Sequence, residues 1–408
     1  MRYFSIFLAI ILCASFSACA LTWDEAVSIA DKNNNELISA KKALEASEWS
    51  YRRSISTFLP QLSASVGMTE SLTATVAATA KTYSSGLSIT QYLFKGMDGI
   101  YDIQAAYADL EYEKADLQTT KASVYYDLRY AFIDLLIAQE SVTIMEEILI
   151  KRQENARLMQ LRYESGKEDR GNFMTTQAEE LKAKNDLSSA KRDLKLAKLK
   201  LSQILKKDIS AVEGAQEIKA PSTVDYNELM KDTPSYVKLI KQIESAEIAQ
   251  RSSISGFLPS ISLSGSSRMT GPDWPPDSEN RSWSLNLSYP FFPGGSNIAD
   301  RAIAGAQLDQ AKEDFEWSKK ELRYSLEDAH EGYTEALESL EYAKVSLAAS
   351  KERAEINQAK YLNGLVNYDE WNRIENTYIQ ARQSLLSSRK SAYFAEALWH
   401  KTYGGWIK

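Results

Sequence analysis

Residues able to run acid–base, nucleophilic or metal chemistry are few and scattered along this chain. His330 and His400 are the only histidines. Neither has cysteines or an acidic cluster at metal-ligand spacing, so each reads as a surface or partly packed helix residue. There is no nucleophile motif, no glycine loop to cradle phosphate and no catalytic triad signature. The sequence therefore points away from an enzyme and calls for no cofactor and no metal. A formal net charge of −7 and the lack of any long basic run exclude a nucleic-acid binder. With 44% hydrophobic and 25% charged residues the composition is that of an ordinary folded protein. What the chain has to offer lies in its elements.

The first of these is a targeting segment, residues 1–20. Arg2 supplies the positive end, Phe4 to Leu12 the apolar stretch, and Ala18-Cys19-Ala20 a small-residue cleavage site. Cleavage after Ala20 leaves a mature chain starting at Leu21. A second reading takes Phe16-Ser17-Ala18-Cys19 as a loose lipoprotein site with Cys19 lipidated, although Phe stands where Leu is usual. The other cysteine, Cys13, sits in the apolar stretch, so an exported chain is left with no disulfide to form. No later stretch reaches the ~18 apolar residues of a membrane-spanning helix. Entry into a membrane would have to be by strands.

The remaining sequence is written twice. Phe58-Leu59-Pro60 returns as Phe257-Leu258-Pro259, and Leu87 to Gly96 (LSITQYLFKG) returns at Leu285 to Gly294 (LNLSYPFFPG). Tyr163, Gly166 and Phe173 return 198 positions later as Tyr361, Gly364 and Trp371. Two copies of one structural unit follow. Each contains a long helix. In the first copy Val124, Leu128, Ala131, Leu135, Ala138, Val142, Met145, Leu149, Ala156, Met159 and Tyr163 keep the three-four alternation of a coiled-coil seam, interrupted only by Arg152. The second copy repeats it from Leu322 through Leu326, Tyr333, Leu340, Leu347 and Ala354 to Tyr361. Unbroken from Met97 to Ser165, the first helix would be roughly 100 Å long. Gly166 and Gly364 end these helices, and antiparallel return helices with matching seams follow.

Between the helices of each copy lie two alternating segments. Leu62, Ala64, Val66 and Met68 alternate with Ser63, Ser65, Gly67 and Thr69, and their partner runs from Leu87 to Phe94. In the second copy Ile261 and Leu263 alternate with serines, and Trp283 through Phe291 alternates with Ser282, Ser284, Asn286 and Ser288. Period two with one oily and one wet face predicts strands, each about ten residues, the reach of a tilted strand across a bilayer. Polar turns are expected from Ser71 to Ser84 and from Thr270 to Asn280. Four strands cannot close a barrel in lipid, because open edges would leave backbone groups unpaired. Two copies would give about eight strands and a barrel filled by its own side chains, whereas three give twelve and a usable lumen. Burial of the same strands in a soluble sandwich is the alternative.

This layout resembles the TolC family of outer-membrane factors over essentially the whole mature chain. Leu21-Thr22-Trp23-Asp24-Glu25-Ala26 with Asn33-Asn34-Asn35-Glu36-Leu37 is similar to the family's usual start. Arg162-Tyr163-Glu164-Ser165-Gly166 and Tyr361-Leu362-Asn363-Gly364-Leu365-Val366 look like its periplasmic hairpin tips. The resemblance implies a mainly α fold with transmembrane β structure: a homotrimer sharing a 12-stranded β-barrel, four strands per subunit, and a long α-helical coiled-coil barrel. It implies a first structural repeat over 21–206, an equatorial linker segment over 207–233 and a second repeat over 234–408. Localisation would be the cell outer membrane, extending into the periplasm among outer-membrane lipid.

The implied partners are a periplasmic adaptor (membrane fusion protein) and an inner-membrane pump of RND, ABC or MFS type. Gly166, Lys167, Gly364, Leu365 and Val366 become adaptor-contact candidates. Tyr361, Asp369, Glu370, Arg373 and Asn172 become pore or gate candidates, with Glu370 at an acidic-ring position and Asp369 beside it. Asn367 with Glu370 three residues on also reads as a helix cap and its reciprocal acid. The chain departs from the family's pattern where Val366 replaces an arginine link, Arg373 a second acid and Asn172 a partner acid. The implied function is a passive duct for small-molecule efflux. The same duct serving type I protein secretion is one alternative, and a periplasmic structural or adhesive coiled-coil rod is another.

Overall fold

The computed structural model describes residues 20–73, 78–214 and 217–405. The expected signal peptide, with Cys13 and Cys19, lies outside the described residues apart from Ala20. The chain is mainly helical with one four-stranded sheet, in the order α1 (Trp23–Asn33), α2 (Asn35–Ile55), β1 (Gln61–Thr73), β2 (Ala78–Lys95), α3 (Asp98–Glu164), α4 (Arg170–Leu205), α5 (Tyr226–Asp232), α6 (Pro234–Ser252), β3 (Ser260–Gly271), β4 (Ser278–Ser288), α7 (Ser296–Leu362) and α8 (Tyr368–Thr402). Helices α3 and α7 are 67 residues each; α3 spans nearly the whole stretch from Met97 to Ser165, and both helices start well before their heptad seams. The segment over 207–233, expected as an equatorial linker, carries the short α5. Two compact units form, each drawing on both halves of the sequence.

One unit comprises the chain up to Ile38, Ala122–Val224 and the chain from Glu327. Its helices pack by heptads. Thr176, Ala183, Ala190 and Ala197 are buried along α4 at intervals of seven, and Tyr333, Leu340, Ala354 and Tyr361 are buried along α7 on the same period. Alanine at these places lets the helix backbones approach closely. The main core gathers Trp23, Leu128, Phe132, Leu135, Leu201 and Leu205 with Ile209 and Val212.

Gln139 of α3 clamps the backbone of Val212, donating to its carbonyl at 2.9 Å and accepting from its N–H at 3.0 Å. Leu21 pairs with the same stretch as a parallel bridge. Thr22 and Glu25 form a capping box that starts α1. Arg129 is buried between Trp23 and Tyr393 with its guanidinium over both rings, and its Nη2 is 3.5 Å from Glu396. Burial dominates this pair: it raises the Glu396 carboxyl above its ordinary pKa and lowers that of Arg129.

The other unit comprises Ser39–Lys121 and Asp225–Leu326. Its sheet has the order β1-β2-β3-β4 with every neighbour antiparallel, so β1 and β4 are its free edges. In each copy a short 3₁₀ turn, Ser56–Phe58 or Ser253–Phe257, turns the chain into the first strand. Register puts Ser63, Ser88, Ser266 and Ser282 in one row across all four strands. The Ser63–Ser88 and Ser266–Ser282 hydroxyls are hydrogen-bonded at 2.6 and 2.9 Å. The opposite face carries Leu62, Ile89 and Trp283, with Trp283 79% exposed.

The strands depart from expectation in length. β1 and β2 are 13 and 18 residues and pair up to Thr73–Ala78, so the broad turn expected over Ser71 to Ser84 is a ladder instead. Thr, Ala and Ser dominate there and sustain backbone pairing with few large apolar residues, Leu72 and Tyr83 among them. β4, expected to reach Phe291, stops at Ser288, because Pro290 has no N–H to give a ladder.

Candidate gate and docking tips

The two helical hairpins turn through the same local chemistry. Gly166 and Gly364 adopt φ of 73° and 72°, a conformation that costs glycine nothing. At the first tip the Gly166 N–H donates to the Tyr163 carbonyl at 2.9 Å and the Lys167 N–H to the Arg162 carbonyl at 2.8 Å. At the second, Gly364 donates to Tyr361 at 3.0 Å and Leu365 to Lys360 at 2.9 Å. Both are Schellman closures that satisfy the last helical carbonyls. The return helices start on side-chain caps, Asp169 accepting from the Asn172 N–H and Asn367 from the Glu370 N–H, each at 2.9 Å.

Above each turn an aromatic pair is stacked. Tyr163 and Phe173 lie 5.3 Å apart and 6° from parallel, and Tyr361 and Trp371 4.6 Å apart and 4° from parallel. The copies differ in burial. Tyr163 is 38% exposed, whereas Tyr361 is 1% exposed in a cluster with Met159, Tyr368 and Trp371. Half-buried Val366 packs against that cluster.

The cluster is laced with polar links between the hairpins. The Tyr361 hydroxyl donates to Glu168 Oε1 at 2.9 Å, and Asn172 Nδ2 donates to Glu168 Oε2 at 3.3 Å. Burial holds the Tyr361 hydroxyl well above its usual pKa, the bond to Glu168 adds to this, and the Arg162 guanidinium 4.5 Å over the ring opposes it. The phenol therefore stays a neutral donor. Glu168 thus places a carboxylate beside Asn172, and Arg162 places a guanidinium over the Tyr361 ring. Tyr368 bonds Thr176 at 2.9 Å.

Further along the helices the seam's one interruption finds its purpose. Arg152 is buried and reaches Glu179 Oε2 at 3.0 Å, Asn372 Oδ1 at 3.4 Å and Asn376 Oδ1. Asn372 in turn donates to Glu179 Oε1 at 2.8 Å. One guanidinium thus joins α3, α4 and α8 in a closed polar ring. Sequence reasoning registered Arg152 only as an irregularity. A charge at a heptad position was the signal, but its partners lie 27 to 224 positions away along the chain. Not every buried donor is so well served: Asn155 Nδ2, Asn357 Nδ2 and Trp371 Nε1 have no acceptor among the described residues. Each such orphan costs about 1–3 kcal/mol.

Of the expected gate residues, then, Tyr361 and Asn172 meet at Glu168, while Asp369, Glu370 and Arg373 stand exposed on the first turns of α8. Asp369 and Glu370 sit favourably at the positive end of that helix, and Glu370 takes part in its capping through the backbone. Gly166, Lys167, Gly364 and Leu365 are exposed at the turns.

Against known proteins, residues 26–205 and 226–398 match the family model described as outer membrane efflux protein. The outer membrane efflux protein BepC of Brucella suis biovar 1 (strain 1330) is 22% identical over 344 residues, covering 82% of this chain and 73% of that protein. Among solved structures, CusC aligns with a TM-score of 0.83 at 18% identity over 94% of this chain and 92% of that one. The CmeC outer membrane channel of Campylobacter jejuni aligns with a TM-score of 0.82 at 17% identity over 94% and 86%.

Proposed function

Since the chain belongs to the outer membrane efflux protein family, we propose that three copies form the outer-membrane exit duct of a tripartite system expelling small molecules. The carrying observation is the four-stranded sheet, with one oily face, one hydroxyl-lined face and two free edges. In hydrocarbon an unpaired strand edge costs several kcal/mol per exposed backbone group. Pairing β1 of one copy with β4 of the next removes every edge, and three copies give a barrel of about twelve strands with a water-filled interior. Exposed Tyr342, Val345, Leu181 and Leu196 on the long helices give neighbouring copies apolar surface to cover. Residues 1–20 act as the export signal, and the repeats over 21–206 and 234–408 flank an equatorial segment over 207–233.

The duct performs no chemistry, and the inner-membrane pump determines what enters it. The hairpin tips serve as its gate. The Tyr361–Glu168 bond and the Arg152 ring favour one packing of the hairpins, while the orphaned donors beside them keep that packing from being overwhelmingly stable. Exposed Asp369 and Glu370, present three times, make an acidic mouth that favours cations. The periplasmic adaptor docks on the turns, with Lys167 and Leu365 presented by the Schellman closures at Gly166 and Gly364, and with Val366 holding the second turn to its core.

Fractionation and light scattering test the assembly. The mature protein should sediment with outer membranes and, in detergent, give the mass of three chains and single-channel conductance in planar bilayers. A water-soluble monomer without conductance would end this reading. Deleting the gene should raise intracellular accumulation of a fluorescent efflux dye, and complementation should reverse it.

A further inference from the structure

The hydroxyl-lined face of the sheet is nearly free of charge. Alternation assigns to it the even-numbered residues of β3 and β4, which are Ser, Thr and Asn with one exception, Arg268. Its row across the sheet reads Ser65, Gly86, Arg268 and Asn280, and its neighbours along β3 on the same face are Ser266 and Thr270. Apart from Arg268, none of these is ionisable. Lys95, at the far end of β2, also falls on this face, but it is paired with Asp98 at 3.1 Å.

On the opposite face Glu279 and Arg281 satisfy each other at 2.6 Å. Two further carboxylates, Asp273 and Asp277, lie in the turn beyond β3. Among the described residues no ion pair holds Arg268, and its side chain is exposed. The place is also cleared for it. A Cβ on Gly86 would come within 3.1 Å of the Ser267 carbonyl oxygen and 3.6 Å of the Arg268 Cβ, so the adjacent strand carries no side chain there.

We infer that Arg268 is a selectivity residue that gives the strand-walled part of the duct a preference for anionic solutes, those bearing carboxylate, sulfate or phosphate groups. The inference rests on the trimeric duct proposed above, which turns one guanidinium into a ring of three on a neutral wall. A ring of fixed positive charge in a pore concentrates anions and repels cations. Small hydroxyl side chains on all sides leave the guanidiniums unscreened by protein carboxylates and open to passing solute. Arginine also binds oxyanions through a two-pronged hydrogen-bonding fork.

The test is the reversal potential of the purified oligomer in planar bilayers across a KCl gradient, for the natural protein and for R268K, R268S and R268E. Each is measured also with D369N and E370Q, so that the carboxylates at the hairpin tips cannot mask the result. The ratio of chloride to potassium permeability should fall at least threefold in R268S and further in R268E, and should hold in R268K. Equal ratios in all four, with oligomers intact on detergent gels, would overturn the inference while leaving the duct standing. Absence of conductance in the natural protein would remove the duct, and the selectivity with it.

Discussion

Replacing Arg152 by Met should loosen both hairpin tips without disturbing the sheet. The Arg152 side chain is 6% exposed and its partner Glu179 19%, so removing the cation leaves a largely buried carboxylate with only amide donors. Breaking a fully buried pair costs about 3–5 kcal/mol. Partial solvent access at Glu179 lowers that to about 2–3 kcal/mol, since water takes up some of the stranded charge. If the tips open locally before they exchange, this predicts amide hydrogen exchange faster by roughly 30- to 150-fold at fixed pH. The affected amides should lie in α3 beyond Arg152, the first turns of α4 and the first turns of α8, where Asn372 and Asn376 lose their partner.

Amides of β1 to β4 should keep natural rates. The double variant R152M/E179L, which removes both charges, should recover most of the loss, because an apolar pair of similar volume replaces a buried ion pair at little net cost. Mass spectrometry of the exchanged protein reads all of these. Acceleration below threefold in R152M, or a double variant worse than the single, would refute the view that a closed polar ring holds the tips.

Three further outcomes follow from the same geometry. Y361F keeps the stack on Trp371 and loses the hydroxyl's bond to Glu168, so tip exchange should rise by about 1 kcal/mol equivalent, whereas Y361A should cost about 3–5 kcal/mol. G166A and G364A should each destabilise their turn by about 1 kcal/mol and by similar amounts, since both positions have positive φ and open space around the missing Cβ; unequal effects in exchange would show that one turn is held by more than its backbone. Burial raises Glu396 above its ordinary value of 4.5, so the folded state binds that proton more tightly than the unfolded one. Its contribution is therefore present below that value and is lost as pH rises through the folded-state pKa. E396Q should flatten this part of the pH dependence of unfolding, followed by the fluorescence of Trp23 and Trp399.

Much of this architecture was readable because its physics is local. The heptad from Leu326 to Tyr361 fixes the buried face of the C-terminal part of α7, and alternation at Leu62 to Met68 separates the two faces of β1. The glycines at 166 and 364 mark both turns because few other residues tolerate that backbone. What escaped notice depends on partners distant in sequence or on residues with weak signals. Nothing near Glu168 announces that Tyr361, 193 positions on, will donate to it. Arg152 reads as a flaw until Asn372 and Asn376 arrive beside it. The end of the β1–β2 ladder is mostly Thr, Ala, Ser and a Glu70–Lys81 pair, which carry backbone pairing with little of an oily stripe, and Pro290 ends β4 in spite of the aromatics around it.

Duplication has left this chain with two hairpins alike in backbone and unlike in surroundings, one holding its tyrosine outside and the other holding it within. Around a closed ring of three chains the two kinds would alternate, six arms in all but only three of each sort. Any movement confined to the inner sort has threefold symmetry, whatever the near-sixfold look of the wall. A copy released from one duty can drift in composition while its twin cannot, so substitutions at Tyr163 and Phe173 should be borne more easily than the same changes at Tyr361 and Trp371.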